Sequence, residues 1–189
     1  MFKNMVWFNE PPEWCVKNGE LSVRTADNTD FWQKTFYEFE HDNGHFLYHE
    51  VSGDFTMQVT FVGKYEALYD QAGIMLRVDE KNWAKTGIEF TDGEIHLSAV
   101  LTRDFSDWSV MKMTEYRGSL TIRMTRHGSA IRIQYLDEKN TWQLIRLGYL
   151  AMPETCQAGI MCCSPTRASF EVKFKDFSIT EPISMQLHE

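Results

Sequence analysis

Apolar and polar residues alternate with a period of two along most of this 189-residue chain, the signature of extended strands with one buried face. Phe55, Met57, Val59 and Phe61 alternate with Thr56, Gln58 and Thr60, and Leu120, Ile122 and Met124 oppose Thr121, Arg123 and Thr125. Ile131, Ile133 and Tyr135 oppose Arg132 and Gln134; Phe170, Val172 and Phe174 oppose Glu171, Lys173 and Lys175. Turn chemistry separates the runs at Ser52-Gly53-Asp54 and at three two-residue hairpin signals, Asn43-Gly44, Asp92-Gly93 and His127-Gly128. No stretch sustains helical periodicity, and no Pro-, Gly- or Ser-rich linker divides the chain. The pattern predicts an all-β, single-domain two-sheet jelly-roll sandwich over residues 1–180, with a loose C-terminal tail at 181–189.

Within that pattern one phrase occurs twice, Gln71-Ala72-Gly73-Ile74-Met75 and Gln157-Ala158-Gly159-Ile160-Met161, each running from a polar turn into an apolar strand. Two copies point to two similar places in one sandwich; chance or local strand chemistry is the other source of so short a match. Hydrophobic residues at 43% and aromatics at 14% supply a continuous core. A net charge of -8 argues against nucleic acid or an anionic membrane as partner. The N-terminal residues reach Asn9-Glu10 and Pro11-Pro12 before a hydrophobic signal region forms, and no apolar run is long enough to span a bilayer, so a cytoplasmic location is expected. Cys15, Cys156, Cys162 and Cys163 are read as reduced core thiols, with a vicinal redox or metal pair at Cys162-Cys163 as the alternative.

The segment from Tyr69 to Trp108 carries the candidate site. Ile74, Leu76 and Val78 read as core, which leaves Met75 and Arg77 on the other face; Ile88 and Phe90 turn Trp83, Lys85, Gly87 and Glu89 outward. Ile95, Leu97, Ala99 and Leu101 oppose His96, Ser98 and Thr102. A hairpin at Asp92-Gly93 brings Glu89 near His96, so these groups share one open sheet face. An aromatic plane beside fixed donors and acceptors suits a sugar ring. The expected site has Trp83 stacking, Arg77, Lys85, Glu89, His96 and Ser98 supplying polar groups, and Tyr69, Gln71 and Trp108 at the rim. A solvated outer face is the competing reading, and Trp32 and Trp108 each read as either groove rim or core plug.

Catalytic signatures are weak. Glu38, Glu40 and Asp42 alternate at ~6.8 Å steps if extended, the spacing glycosidases use, but edge strands carry such charges as protection against pairing. His41, His45 and His49 recur every fourth residue across a turn that breaks any helix, so no metal is assigned. Glu89 is the one weak catalytic candidate, tuned by Lys85 or Asp107, and no cofactor is expected.

The motifs Asn9-Glu10-Pro11-Pro12, Thr29-Asp30-Phe31-Trp32-Gln33-Lys34-Thr35, Asp42-Asn43-Gly44-His45-Phe46, Tyr69-Asp70-Gln71-Ala72-Gly73, Trp83-Ala84-Lys85-Thr86-Gly87-Ile88-Glu89 and Phe105-Ser106-Asp107-Trp108-Ser109 resemble the regulation of enolase family, a domain of unknown function in the concanavalin-like lectin and glucanase superfamily. The resemblance runs from about Trp7 to Ile179 and implies a jelly roll whose concave sheet, in related folds, binds or cleaves glycans. The Glu-x-Asp-x-x-Glu strand expected of a glucanase is absent: Glu38-Phe39-Glu40-His41-Asp42 has the wrong order, and Glu89-Phe90-Thr91-Asp92 runs into a turn. The chain is therefore read as a non-catalytic domain for a carbohydrate or other polar small ligand, with a glycan-active hydrolase or lyase, or a module gripping a protein partner in metabolic regulation, as alternatives.

Overall fold

The computed structural model describes residues 2–187; the first residue of the predicted domain and the last two of the predicted tail lie outside them. The first strands are β1 (Val6–Phe8), β2 (Glu13–Lys17), β3 (Glu20–Arg24), β4 (Phe31–Gln33), β5 (Glu40–Asp42), β6 (His45–Ser52), β7 (Phe55–Gly63) and β8 (Gln71–Asp79). There follow β9 (Asn82–Thr91), β10 (Glu94–Arg103), β11 (Phe105–Lys112), β12 (Leu120–His127), β13 (Ala130–Leu136), β14 (Trp142–Tyr149), β15 (Thr155–Cys163) and β16 (Glu171–Thr180). Two seven-stranded antiparallel sheets form, β1-β6-β15-β8-β9-β10-β11 (sheet A) and β14-β13-β12-β7-β16-β3-β2 (sheet B), and β4-β5 makes a separate two-stranded flap. The all-β sandwich read from the alternation is what folds.

The core lies between the sheets and is built by the residues the period selects. Ile74, Leu76, Ala84, Ile88, Leu97 and Ala99 of sheet A meet Met57, Val59, Phe61, Ile122, Met124 and Phe174 of sheet B, all at or below 1% exposure. Asp92 and Gly93 have left-handed φ of 54° and 74°, and this turn closes β9 onto β10 with Thr91 opposite Glu94. Both conformations are those a two-residue hairpin demands, which is why Asp-Gly is found there. The β12–β13 hairpin also forms, but His127 pairs with Ala130, so its two turn residues are Gly128 and Ser129 and not the expected His127-Gly128.

The repeated phrase occupies adjacent antiparallel strands. Ile74 of β8 lies opposite Ile160 of β15, so the two copies are related by a local two-fold between those isoleucines. Each copy's glycine sits where an outer neighbour comes too near for a side chain: a Cβ on Gly73 would fall 1.9 Å from the Thr86 carbonyl oxygen, and one on Gly159 1.9 Å from that of Leu47. The phrase is local strand chemistry used twice.

Asn43-Gly44 departs from expectation. β5 pairs with β4, whereas β6 pairs with β1 and β15, so the dipeptide carries the chain from the flap into sheet A and makes no hairpin. Asn43 and Gly44 both donate backbone N–H groups to the Asp30 carbonyl, and a Cβ on Gly44 would lie 2.3 Å from the Phe31 ring. Gly is needed for close approach, not for turn geometry. Among the cysteines, Cys15 is exposed on β2, contrary to a core reading, while Cys156, Cys162 and Cys163 are buried and free. Cys162 packs in the inter-sheet core and Cys163 in a second cluster on the other face of sheet A, as alternation requires of neighbours on one strand.

Candidate functional site

The second apolar cluster shows that the outer face of sheet A is covered. Phe46, Met75, Trp83, Val100, Met161 and Cys163 project from that face and are sealed by Phe31 and Trp32 of the flap strand β4. Phe31 meets Trp83 edge-on, with ring centroids 6.2 Å apart.

A buried lysine pins this cover. Lys85 Nζ donates to Phe31 O at 2.7 Å, Gln71 Oε1 at 2.7 Å and Asp30 Oδ1 at 3.1 Å, which uses all three of its protons. Asp30 Oδ1 also accepts from the Phe31 backbone N–H and from Gln71 Nε2. Burial works against the Lys85 ammonium, but the Asp30 charge and, after it, Cys163 and Glu89 outweigh that effect and raise its pKa. The pair is thus an internal tie between sheet and flap.

Beside this tie lies a cavity of about 460 Å³. Its floor is Gln71 of β8, Lys85 and Glu89 of β9, Val100 of β10 and Trp108 of β11; its walls are Trp32, Tyr37, Phe39 and His41 of the flap; and Leu68, Tyr69, Pro165 and Thr166 come from two loops. The rings interlock: Trp32 meets Trp108 at 6.3 Å and Tyr37 at 6.0 Å, and Tyr69 meets Trp108 at 6.4 Å, all edge-to-face. Tyr37 and Tyr69 hydroxyls lie 3.2 Å apart, and this bond, with burial, pushes the Tyr69 phenol up to about 12.

The two loops are fixed from behind. Asp70, fully buried, accepts from the backbone N–H groups of Glu66 and Ala67, from Ser164 Oγ and from Arg167 Nε, so one carboxylate joins the 64–70 and 164–167 segments. Tyr69, immediately before it, is held at a left-handed φ of 65°, and its backbone N–H donates to Phe90 O at 2.7 Å. A non-glycine residue keeps that conformation only where its surroundings over-determine it.

Glu89 is the carboxylate at the floor. Trp108 Nε1 donates to both Glu89 Oε2 and Ser98 Oγ at 3.2 Å. Burial raises the Glu89 pKa, against the opposing pull of Lys85 and of hydrogen bonds from Ser98 and Trp108. The second carboxylate of the cavity, Asp30, is already engaged with Lys85.

The sidedness read from the sequence is realised, but the face is not open. Tyr69, Gln71, Lys85, Glu89 and Trp108 line the cavity, and Ser98 stands behind Trp108. Trp83, expected to stack on a ligand, is fully buried beneath Phe31, so its surface is spent on packing. Lys85 was expected to bond a ligand; its donors are filled by Asp30, Phe31 and Gln71. Arg77 is away from the cavity, paired with Asp42 at 2.7 Å and lying over the Phe8 ring at 4.3 Å. His96 is opposite Glu89 in register, but its Nδ1 sits 3.1 Å from the Glu94 carbonyl oxygen and the ring does not line the cavity. Asp107 cannot tune Glu89: it pairs with Arg146 at 2.7 Å, and its neighbour Trp108 holds the cavity side of β11.

The row Glu38, Glu40, Asp42 is dispersed. Glu38 precedes β5 at a left-handed φ of 60°, Glu40 pairs with Lys34, and Asp42 with Arg77. His45 is buried, accepting at Nε2 from the Ala26 N–H and lying 2.6 Å from Asn9 O through Nδ1, which fixes Nδ1 as the donor. No group of three His, Cys, Asp or Glu capable of holding a metal occurs among the described residues.

Missed altogether were Asp30, Tyr37, Phe39, His41, Leu68, Val100, Pro165 and Thr166. One signal could have found the flap: Phe31, Trp32, Phe36, Tyr37 and Phe39 crowd into a short segment outside any long alternating run.

Comparison with known proteins places this geometry in context. A family model described as "Protein of unknown function (DUF1349)" matches residues 7–182. The chain is 41% identical over 183 residues, 97% of its length and 92% of the relative's, to "Regulation of enolase protein 1" of Saccharomyces cerevisiae. A crystal structure of a functionally unknown protein from Saccharomyces cerevisiae superposes with a TM-score of 0.93 at 40% identity, covering 97% of this chain and 99% of that one. Carbohydrate binding module CBM66 from Bacillus subtilis has a TM-score of 0.58 at 13% identity, over 94% and 98% of the two chains. A GH43 protein of Bacillus licheniformis has a TM-score of 0.69 at 16% identity, over 90% of this chain and 35% of that one. At such identities these last two share the fold alone.

Proposed function

The chain belongs to the DUF1349 family, and on that premise we propose that it is a non-catalytic binding domain that takes a carbohydrate ring into the cavity on the outer face of sheet A. One observation carries the reading: a cavity of about 460 Å³ walled by Trp32, Tyr37, Tyr69 and Trp108 has a buried carboxylate, Glu89, at its floor. Aromatic walls take the apolar face of a pyranose and a fixed acceptor takes its hydroxyls. The volume holds a ligand of one or two rings, and the neighbouring fold named as a carbohydrate binding module supports the class. Titration calorimetry against a panel of neutral mono- and disaccharides tests it. Binding that Trp108→Ala weakens about fivefold or more is expected, since a stacked ring contributes roughly 1 kcal/mol or more; no heat from any sugar would overturn it.

A protein partner is the second reading, favoured by Phe36 at the flap tip, 89% exposed, and by the nearby Phe105 at the start of β11, 59% exposed. Exposed aromatics are common interface anchors, and the yeast relative's name speaks of regulation. A stoichiometric partner lost in Phe36→Ser and retained in excess sugar would favour this reading over the first.

A further inference from the structure

We infer that the ligand of this cavity is an amino sugar, its ammonium seated against Glu89 and surrounded by Trp32, Tyr37, Tyr69 and Trp108. The inference rests on the carbohydrate reading and narrows it to a cationic ring. It comes from counting the carboxylate and ammonium charges of the cavity, whose wall also holds the imidazole of His41. Asp30 and Lys85 cancel as a pair, and every proton of Lys85 is already given to Asp30, Phe31 or Gln71. Glu89 remains. Its hydrogen-bond donors, the Ser98 hydroxyl and the Trp108 indole, are both neutral, and among the described residues no cation forms an ion pair with it within 4.0 Å.

Lys85 pulls on Glu89 only from outside ion-pair distance, and burial to 6% exposure still makes that carboxylate costly to keep charged. A neutral sugar hydroxyl gives it one more hydrogen bond and leaves the charge uncompensated. A ligand ammonium compensates it. The rings act in the same direction, because the faces of Trp and Tyr carry negative potential that attracts a cation, most strongly where water is displaced. Lys85, pinned in place, cannot turn into the cavity to neutralise Glu89 itself without breaking its three bonds to the flap. The same charge count repels uronic acids and phosphorylated sugars.

The test is calorimetry on the full chain with glucosamine, galactosamine and mannosamine against glucose, galactose and mannose, and against N-acetylglucosamine, at a pH where the amines are protonated. At least one hexosamine is expected to bind roughly tenfold or more tighter than its neutral parent, by ion pair and cation–π attraction together. Glu89→Gln keeps an acceptor for Trp108 but removes the charge, and should erase the preference, hexosamine and neutral parent then binding within about twofold of each other. Should that variant unfold, the wild-type Glu89 carboxyl resonance decides: a bound hexosamine keeps it ionised to lower pH, and glucose does not. Equal affinity for amines and their neutral parents would overturn this inference and leave the carbohydrate reading standing. Absence of binding by every sugar would overturn both.

Discussion

The outer faces of the two sheets began as equivalent patterns, polar residues alternating with core residues, and they ended in opposite environments. On sheet B, polar side chains satisfy one another along the outer face: Thr60 with Thr121 at 2.8 Å, Thr56 with Thr125 at 2.9 Å, Arg123 with Gln134 at 2.9 Å, and Lys173 with Glu20 at 2.9 Å. Part of it is covered by the C-terminal segment, where Arg132 donates to the carbonyls of Ser184 and Gln186 and the Ile183 N–H donates to Thr56 Oγ1, and there Thr56, Thr125 and Arg132 are buried. On sheet A the polar residues are interleaved with Met75, Trp83, Val100 and Met161, all at or below 3% exposure beneath the flap. Polar residues among large apolar ones cannot be left to water with them. They are covered, and whatever is charged must then find a partner inside. The difference between a face of mutually paired polar residues and one under an aromatic lid therefore lies in the company the polar residues keep.

The strongest way to break this comparison is to remove the cation that ties the lid. Lys85→Ala leaves Asp30, Gln71 and the Phe31 carbonyl without their shared donor and should cost roughly 3–5 kcal/mol of stability in denaturant unfolding. A loss below about 1 kcal/mol would mean that the flap rides loosely on the sheet.

Next in size is the hinge into the flap. In Gly44→Ala the new methyl meets Phe31 ring carbons and the Cys163 sulfur at 2.3–2.6 Å, all buried, so overpacking of roughly 1–3 kcal/mol is expected. The loss should be accompanied by increased exchange of the backbone amides that the flap donates, such as Gln33 N–H to Ser106 Oγ.

A smaller effect follows from Glu89. Burial raises its pKa above the usual carboxylate value, so the folded protein binds this proton more readily than the unfolded chain. Its charge therefore opposes folding above the folded-state pKa, and that opposition fades as the pH falls toward the unfolded-state value. Thermal midpoints of wild type and Glu89→Gln compared from neutral to mildly acidic pH should show the wild type gaining on the variant as pH falls. Lys85, Asp30, His41, Tyr69 and Tyr37 face the same region and are unchanged in the pair, so a constant difference would contradict the buried charge.

The smallest expected change is on sheet B, and it is the control. Lys173→Ala removes an exposed ion pair with Glu20 and should leave the unfolding midpoint unaltered within error. A loss comparable to that of Lys85→Ala would erase the distinction between the two faces.

Much of this was legible in the chain. Alternation placed Met75, Trp83, Lys85 and Glu89 on one side of sheet A because a strand has no other choice, and a one-residue slip would have buried the wrong set. It did not distinguish Trp83 as ligand platform from Trp83 as packing, since both occupy the same side of the same strand. Asp30, Tyr37 and Phe39 escaped because the flap is short, carries left-handed residues at Lys34, Phe36 and Glu38, and has no period to read. His96 and Arg77 were placed by register alone, and their nearest polar partners, the Glu94 carbonyl and Asp42, drew them elsewhere.

By itself the sequence determined the strands, their core faces and the Asp92-Gly93 hairpin, because each follows from a two-residue period or from local backbone preference. Tertiary structure alone decided that the flap folds over sheet A, that Lys85 meets Asp30 across 55 positions of chain, and that two loops joined at Asp70 complete the aromatic wall. These are encounters between segments distant in sequence, and packing complementarity and charge compensation select them only once the sheets are in place.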